Sequence, residues 1–182
     1  MEETGTGVRI RPLTTVDAAS FKALRLAGLR ECPVAFGSSY EEERDGTLAN
    51  VSERIGPTAT SAVFGAFDSS ELVGVLGVSR HTARKWWHKA SLWGMYVMPA
   101  HRANGVARAL LNRGIRFAAS MAGVRWLTLS VAVTNAAAQA LYESVGFRCY
   151  GREPEALCVG GVYHDERLMA LPLTRRAGPN TH

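Results

Sequence analysis

The stretch from Ser91 to Leu111 constrains the fold more than any other part of the chain. "SLWGMYVMP" is an apolar run that ends at Pro99, and "HRANGVARALL" then brings a charge at Arg102, the turn-prone pair Asn104-Gly105 and a run of helix formers. This pattern predicts a strand, a tight turn and a helix in direct succession. Such a turn exposes free backbone N–H groups at the positive end of a helix dipole, an arrangement that suits an anion such as phosphate.

The loop taken alone has two interpretations. Gly105 lets the backbone approach a bound anion closely and Arg102 adds a full charge, but Gly also simply makes turns and Arg is common on surfaces. The loop is neither a P-loop nor a dinucleotide fingerprint, because it lacks the Gly-Lys-Ser/Thr ending of the first and the three spaced glycines of the second. The rest of the chain must decide between a phosphate site and a plain turn.

Length and composition indicate one domain. The chain has 182 residues, of which 47% are hydrophobic, so it can bury one sizeable core but hardly two. We expect a single domain over residues 1–173 and a disordered polar tail over residues 174–182. No apolar run approaches the roughly 20 residues that span a bilayer, and the start, "MEETGTGVRI", lacks the features of a secretory signal. We therefore expect a cytoplasmic protein without a membrane partner.

The cysteines argue against a metal site. Cys32, Cys149 and Cys158 are an odd number, and none of them stands at the close Cys/His spacings that hold zinc. We expect free, buried thiols and no metal.

The charge of the chain raises the question of an anionic partner. The formal net charge is +5, but the basic residues are scattered, as on an ordinary solvated surface. The exception is "SRHTARKWWHKA", residues 79–90, where basic residues alternate with aromatic ones. Such a segment can stack on and neutralise nucleic acid, or it can be a loop between two strands whose tryptophans fold back on the core. We favour the loop, so nucleic acid is not an expected partner.

Helical and strand patterns are mixed along the chain, without repeats. Thr14 and Asp17 have the spacing of a helix cap and first turn. Strands are predicted at residues 8–13, 61–68, 71–80, 91–99, 124–133, 147–153 and 162–173. Helices are predicted at residues 14–31, at 37–56 with a break near Gly46, at 105–122 and at 135–146.

Two sequence blocks carry a resemblance to a known family. From about residue 72 to 171 the chain resembles the GNAT superfamily of acyl-CoA-dependent N-acetyltransferases. "GMYVMPAHRANGVARALL" fits the family's strand, its Arg/Gln-x-x-Gly-x-Gly/Ala loop and its helix through Arg102, Gly105 and Ala107. "LTLSVAVTNAAAQALYESVGF" fits the family's next strand, an Asn near the following helix and a Tyr shortly before Gly-Phe. The two blocks in this order are far more specific than the loop alone.

The departures from the family pattern are mild. Ala103 and Asn104 stand where many relatives have Gly and a basic residue, which puts one cationic contact in doubt. Before residue 72 the resemblance is looser, although "CPVAFGSSYEEE" is similar to the second-helix region of some members.

The resemblance implies an α/β (α+β) fold. It has a single mixed, mostly antiparallel central sheet of about seven strands, splayed between strands 4 and 5 and flanked by about four helices. Relatives commonly pair, so a homodimer is a further expectation.

The resemblance also implies acetyl-CoA as cosubstrate, with its pyrophosphate on the loop after the fourth strand. The expected phosphate cradle is Arg102, Ala103, Asn104, Gly105, Val106 and Ala107, with Arg108 adding charge. Backbone groups of Met95, Tyr96 and Val97 would bond the pantetheine arm and the acetyl carbonyl. Gly94 in mid-strand suits the bulge that this requires, although Gly also simply weakens strands.

Acetyl transfer needs a neutral amine, a polarised thioester carbonyl and a proton for the departing thiolate. The N–H of Val97 is the candidate donor to the developing oxyanion. Tyr142 is the candidate acid, because the resemblance places its hydroxyl near the coenzyme A sulfur, while a helix aromatic packed on the core explains it equally simply. Asn135 can cap its helix, bond the pantetheine, or do both.

The general base and the acceptor pocket are less well marked. Trp93, Tyr96, Thr128 and Ser130 on the splayed strands include no carboxylate, so the base is water or a group such as Glu41, Glu42 or Glu43. A Glu run is also typical of a solvated helix face, and His88 and His164, which could titrate near neutrality, also fit structural roles. Phe36, Tyr40, Trp93 and Tyr163 are the expected acceptor-binding residues.

The expected function is transfer of an acetyl group from acetyl-CoA to a primary amine of a small molecule or protein, by direct attack in a ternary complex. A non-catalytic acyl-CoA sensor is the first alternative, and Tyr142 counts against it. A nucleic-acid-binding protein that uses residues 80–89 is the second, and it predicts steep salt dependence of oligonucleotide binding.

Overall fold

A computed structural model describes residues 2–3 and 7–173 of the chain. The strands are β1 (Arg9–Pro12), β2 (Ser61–Asp68), β3 (Glu71–Arg80), β4 (Lys89–Val97), β5 (Trp126–Ala132), β6 (Arg148–Val159) and β7 (Val162–Pro172), and a two-residue strand, Glu2–Glu3, pairs with β1. The helices are α1 (Ala18–Glu31), α2 (Tyr40–Arg44), α3 (Leu48–Ile55), α4 (Val106–Ser120) and α5 (Ala136–Ser144). The tail expected at residues 174–182 lies outside the described residues.

One mixed sheet joins all the strands, in the order Glu2–Glu3, β1, β2, β3, β4, β5, β7, β6. Every neighbouring pair is antiparallel except β4 and β5, which are parallel. That pair is bonded only from Lys89 opposite Trp126 to Ser91 opposite Thr128. Beyond Ser91 the two strands separate and leave a gap in the sheet. The predicted mixed sheet, splayed between strands 4 and 5, is confirmed, and the predicted second helix is divided into α2 and α3.

A bulge in β4 lies beside this gap. Tyr96 is opposite Val75 and Trp93 is opposite Gly77, so two residues of β4, Gly94 and Met95, face one residue of β3. Gly94 has φ 64°, a left-handed conformation that glycine adopts without steric cost. The expected bulge at Gly94 is therefore present.

Two apolar layers cover the sheet. α4 and α5 pack on one face, where Leu110, Leu111 and Phe147 are buried, and α1 and α3 pack on the other, where Phe21 and Ile55 are buried. The predicted polar face of α4, with Arg108, Asn112 and Arg116, is exposed. The sheet thus holds α1 and α4 on opposite sides of β4, and both reach the gap.

The hairpin of β6 and β7 extends further than predicted. β6 continues past residue 153 to Val159 through a bulge at Glu155, whose N–H donates to Asp165 Oδ1 at 2.8 Å. Gly160 and Gly161, with φ 58° and 82°, form the predicted turn. Within the described part of the chain, no helix is long and apolar enough to cross a membrane.

Two predictions about burial are wrong. Trp86 and Trp87 belong to the predicted loop between β3 and β4, but each is 51% exposed and packs on a cation, Lys89 or Arg80, instead of on the core. Cation–π contact covers one ring face without any core contact.

The second wrong prediction is that the thiols are buried: Cys149 and Cys158 are exposed and Cys32 is half-buried. All three thiols are free, as expected. The two exposed residues lie on β6, which is the last strand of the sheet and therefore has little to pack against.

Asp17 anchors the start of α1. It is 7% exposed and accepts two hydrogen bonds from Arg11, at 2.7 and 2.8 Å, and one from the N–H of Thr14 at 2.8 Å. The hydrogen bonds from Arg11, above all, lower the pKa of this carboxyl. The predicted capping box of Thr14 and Asp17 is therefore present, and it is reinforced by Arg11.

We expect Asp17→Asn to reduce the free energy of unfolding by about 2 kcal/mol at neutral pH, because charge-assisted bonds to a buried carboxylate are lost. A carboxyl whose pKa is lowered by folding stabilises the fold above its unfolded pKa, and this contribution disappears as the pH falls through the folded pKa. The difference between wild type and variant should therefore shrink below about pH 4. Urea unfolding at several pH values measures it, and a constant difference would contradict the assignment.

Candidate active site

A cleft of about 640 Å³ opens where β4 and β5 separate. It is bounded by the end of β4, the turn before α4, the start of α5 and the segment after α1. The residues that line it are Cys32, Ala35, Phe36, Met95, Tyr96, Val97, Arg102, Ala103, Gly105, Val106, Ala107, Arg108, Asn135, Ala137, Ala138 and Leu141. The structure thus brings together nearly all of the predicted cofactor-binding residues, except Asn104 and Tyr142.

The turn before α4 has the form of an anion cradle. Gly105, with φ 77°, precedes the helix, and a Cβ built on it would meet nothing within 4 Å. Because Gly105 has no side chain, it leaves the first turn of α4 uncovered. The residues of that turn, Val106, Ala107 and Arg108, line the cleft. Free N–H groups at the start of a 15-residue helix suit a phosphate group. The residues present therefore fit the pyrophosphate of coenzyme A, and Asn104 lies exposed in the same turn.

Ala103 carries a cost in this turn. Its φ is 61°, in the left-handed region that Gly occupies freely and other residues enter at a cost of about 1–2 kcal/mol. This position is the one at which the sequence departs from the family's usual Gly. The departure therefore changes the strain of the turn and leaves its shape intact.

Arg102 ties the cradle to the rest of the fold. Its Nη2 lies 2.8 Å from Glu31 Oε1, and its Nε donates to the carbonyl of Val97 at 2.9 Å. The side chain is 44% exposed and lines the cleft, so its charge still acts there. The sequence predicted that Arg102 supplies a positive charge for the phosphate. In the structure Arg102 also connects the cradle to α1 through Glu31 and to β4 through Val97.

Glu31 is a site residue that the sequence analysis missed. Besides Arg102 it accepts a hydrogen bond from the Tyr96 hydroxyl at 2.5 Å. That hydrogen bond, and then Arg102, lower the pKa of Glu31, while burial and the bond to Glu31 raise the pKa of Tyr96 to about 12. Tyr96 and Glu31 are 65 positions apart, so no local spacing could have linked them.

Replacing Glu31 by Gln tests the contribution of the Glu31–Arg102 ion pair. Exposed ion pairs contribute up to about 1 kcal/mol, so acetyl-CoA affinity should fall by no more than about five-fold. Because folding lowers the pKa of Glu31, its contribution to stability is present above the usual Glu pKa and is lost as the pH falls through the lowered value. The melting temperatures of wild type and Glu31→Gln should therefore converge in acid; a gap that widened in acid would be inconsistent with this network.

Backbone groups of β4 face the gap. Met98 N–H donates to Val73 carbonyl at 2.9 Å, and Val97 is opposite Gly74. Bonded and non-bonded pairs alternate along an antiparallel ladder, so the N–H and C=O of Val97 point away from β3, toward the gap. The Arg102 bond to the Val97 carbonyl agrees with this direction. The Val97 N–H is thus free to donate to a group in the cleft.

Tyr142 lies at the inner end of the site. It is 8% exposed, and its hydroxyl is 3.8 Å from Met95 Sδ. It lines a cavity of about 100 Å³ together with Trp93, Gly94 and Ser130, and this cavity shares Met95 and Asn135 with the large cleft. Burial raises the pKa of Tyr142 to about 12, so the hydroxyl keeps its proton at neutral pH. The ring also packs edge-on against Phe147, so the packing role is present too.

Asn135 caps α5. Its Oδ1 accepts from the N–H of Ala138 at 3.1 Å, and the residue lines both cavities. Gln139, which the sequence analysis did not single out, is buried and donates to the carbonyls of Ala132 and Val133. Together these side chains fix the start of α5 beside the end of β5.

A second cleft, of about 760 Å³, lies between the α1–α2 segment and the β6–β7 hairpin. Phe36 lines both large clefts, and Tyr40 lines the second. Trp93 lines the small cavity, whereas Tyr163 is 62% exposed and is absent from the lining of these three spaces. The structure therefore places Phe36 and Trp93 at the gap, Tyr40 in the second cleft and Tyr163 outside all three spaces.

None of the candidate bases lines the two cavities at the gap, although Glu41 and Glu42 line the second cleft. Burial alone would raise the pKa of Glu43, but hydrogen bonds and charge from Arg25, and the charge of Arg54, lower it overall. Glu42 bonds the backbone of Ser39 in the cap of α2, and Glu41 is exposed beside it. His88 and His164 line none of the three spaces described here.

Comparison with known proteins identifies the family. The model of the "Acetyltransferase (GNAT) family" matches residues 28–147, which cover the gap, the cradle and Tyr142. The chain belongs to the GNAT acetyltransferase family.

Individual relatives are more distant. The spermidine N(1)-acetyltransferase of Vibrio cholerae is 32% identical over 84 residues, 46% of this chain and 49% of that protein, so the chain spans about half the length of this relative. The structure of yncA from Salmonella typhimurium with its cofactor acetyl-CoA has a TM-score of 0.77 at 21% identity, covering 96% of this chain and 99% of that one. Arabidopsis thaliana NAA60, determined in complex with acetyl-CoA, has a TM-score of 0.71 at 20% identity, covering 91% and 98%. These structures are similar in fold.

Proposed function

We propose that this protein transfers the acetyl group of acetyl-CoA to a primary amine of a small molecule or protein, by direct attack in a ternary complex. The observation that carries the proposal is a single continuous site. The cradle at Gly105 lines the large cleft, the bulge at Gly94 and Tyr142 line the small cavity, and the two spaces share Met95 and Asn135. Membership of the GNAT family supports the same chemistry.

The cradle and β4 would hold the cofactor. Backbone N–H groups from Gly105 to Arg108 bind the pyrophosphate, and backbone groups of Met95, Tyr96 and Val97 with Asn135 bind the pantetheine arm. The segment from Leu72 to Tyr142, which supplies these residues, contains no Asp or Glu. A positive field along this segment suits a cofactor that carries several phosphate charges.

Acetyl-CoA, when bound, supplies an acetyl thioester. The Val97 N–H donates a hydrogen bond to the thioester carbonyl oxygen and so polarises it. As the amine nitrogen bonds to the acetyl carbon and the carbon–sulfur bond breaks, the Tyr142 hydroxyl gives its proton to the sulfur. The two cavities at the gap have no carboxylate in their described lining, so we assign removal of the amine's proton to water.

A panel of amines tests this function. Wild type is mixed with acetyl-CoA and each amine, and a thiol-detecting dye reports free coenzyme A. We expect thiol release with at least one class of amine and none without amine. A protein that binds acetyl-CoA but stays inert with every amine would instead be a sensor. Sedimentation of the same sample tests the homodimer that we also propose.

A further inference from the structure

Arg25 of α1 is a buried cation with one unused donor. Its side chain is 5% exposed, and its Nε and Nη2 donate to the carboxylate of Glu43 at 2.8 to 3.2 Å. Its Nη1 is buried and has no hydrogen-bond partner in the described part of the chain. Buried donors are nearly always satisfied, and leaving one unmade costs about 1–3 kcal/mol. This N–H group therefore calls for a partner.

The unused donor lies beside the bulge of β4. A Cβ placed on Gly94 would lie 3.3 Å from Arg25 Nη1, so the donor sits against the bulge of β4. The guanidinium also lies over the ring of Phe36, 4.3 Å from its centre. Gly94 lines the cavity that holds Tyr142, and Phe36 lines both the cofactor cleft and the second cleft. Arg25 itself lines none of the three spaces, but its neighbours Gly94 and Phe36 line all three between them.

The surroundings of Arg25 carry excess positive charge. Glu43 is shared with Arg54, whose Nη1 is 3.4 Å from Glu43 Oε2, and Arg54 lies over the ring of Trp93 at 4.9 Å. Two cations therefore face one carboxylate at this point, while Glu41 and Glu42 line the second cleft. The excess positive charge beside Arg25 attracts an anion.

We propose that Arg25 binds an anionic oxygen of the acceptor, so that the preferred acceptors are small amines that also carry a carboxylate or a similar anion. This inference rests on the proposed function and specifies its substrate class. A donor that already gives two of its nitrogens to Glu43 offers the acceptor a single charge-assisted bond through Nη1. Loss of such a bond should cost about 10- to 100-fold in kcat/KM.

Matched acceptors and variants test the proposal. Each amino acid in a panel is compared with its own carboxamide, which keeps the amine but removes the anion, and with spermidine. We expect wild type to favour the acid by about 10- to 100-fold in kcat/KM, and Arg25→Gln to lose this preference. Arg9→Gln is the matched control, because Arg9 is an exposed arginine on β1 that bonds only the carbonyl of Ser69 among the contacts described. Its preference should equal that of wild type.

Folding and turnover are separated by two further measurements. Arg25→Gln removes the main partner of Glu43 and leaves it with Arg54 and Ser38. The double variant Arg25→Gln/Glu43→Gln removes both members of the buried pair, so the test can still be made if the single variant unfolds. Calorimetry of acid and carboxamide binding to the coenzyme A complex gives the same comparison without turnover. Equal use and equal binding of acids and carboxamides, or a wild type that favours spermidine, would overturn the role of Arg25 while leaving acetyl transfer intact. Inactivity with every amine would overturn the proposed function, and carboxylate binding that depends on Arg25 would still support this inference.

Discussion

Gly105→Glu should abolish acetyl-CoA binding. The space around a Cβ at this position is open, so the new side chain projects from the start of α4 into the region that the pyrophosphate is proposed to occupy. A carboxylate there repels phosphate and also takes up the free N–H groups of the first turn. Isothermal titration calorimetry should show no measurable heat of binding under conditions that saturate wild type.

The backbone at Gly105 requires a matched control. With φ 77° any side chain is strained, and Asn tolerates this region better than most residues. Gly105→Asn carries a polar side chain without charge, one methylene shorter than Glu, so it should bind acetyl-CoA more weakly than wild type but measurably. If folded Gly105→Glu bound as tightly as wild type, the phosphate cradle would have to be placed elsewhere.

Tyr142→Phe should slow acetyl transfer by about 100-fold. General-acid catalysis contributes about 100- to 10,000-fold, and we expect the lower end because a coenzyme A thiolate is already a tolerable leaving group. Phe keeps the edge-on contact with Phe147 at 5.9 Å, so folding and acetyl-CoA affinity should be unchanged. Steady-state rates and calorimetry on the same samples give both quantities.

The pH dependence sharpens this second test. Since the pKa of Tyr142 is raised to about 12, the hydroxyl stays protonated from about pH 6 to 9, and the loss in the variant should be constant over that range. Tyr163→Phe removes a hydroxyl from an exposed residue that lines none of the three spaces, so it should leave the rate unchanged. A Tyr142→Phe variant as fast as wild type at every pH would reduce Tyr142 to a packing residue.

The parts of the site that were predictable follow from local constraints. A strand stopped by Pro99 and followed by Asn104-Gly105 has few ways to continue, so β4, the turn and α4 were found close to their observed bounds. The bulge at Gly94 was expected from the family resemblance, and a glycine in mid-strand suits it because glycine adopts left-handed backbone conformations freely.

The parts that were missed depend on contacts between distant segments. Glu31 meets Tyr96 and Arg102 only because α1 ends beside the gap, and a helix end has no spacing that reveals its neighbour. Arg25 was assigned to no role because its place beside Gly94 is set by the packing of α1 on β4. The burial of Trp86 was predicted wrongly, since the residue is exposed. Composition gives only the average burial of a residue type, and it does not show that this tryptophan lies in a loop outside the sheet.

The most direct test of the central claim follows the acetyl group itself. Wild type and Gly105→Glu are each incubated with isotope-labelled acetyl-CoA and the best amine of the panel, and mass spectrometry counts labelled acetyl groups on the amine. We expect one labelled acetyl group on the amine for each coenzyme A released by wild type, and no labelled product from Gly105→Glu. Labelled product from the folded variant at the wild-type rate, or coenzyme A release by wild type without acetylated amine, would contradict acetyl transfer through this site.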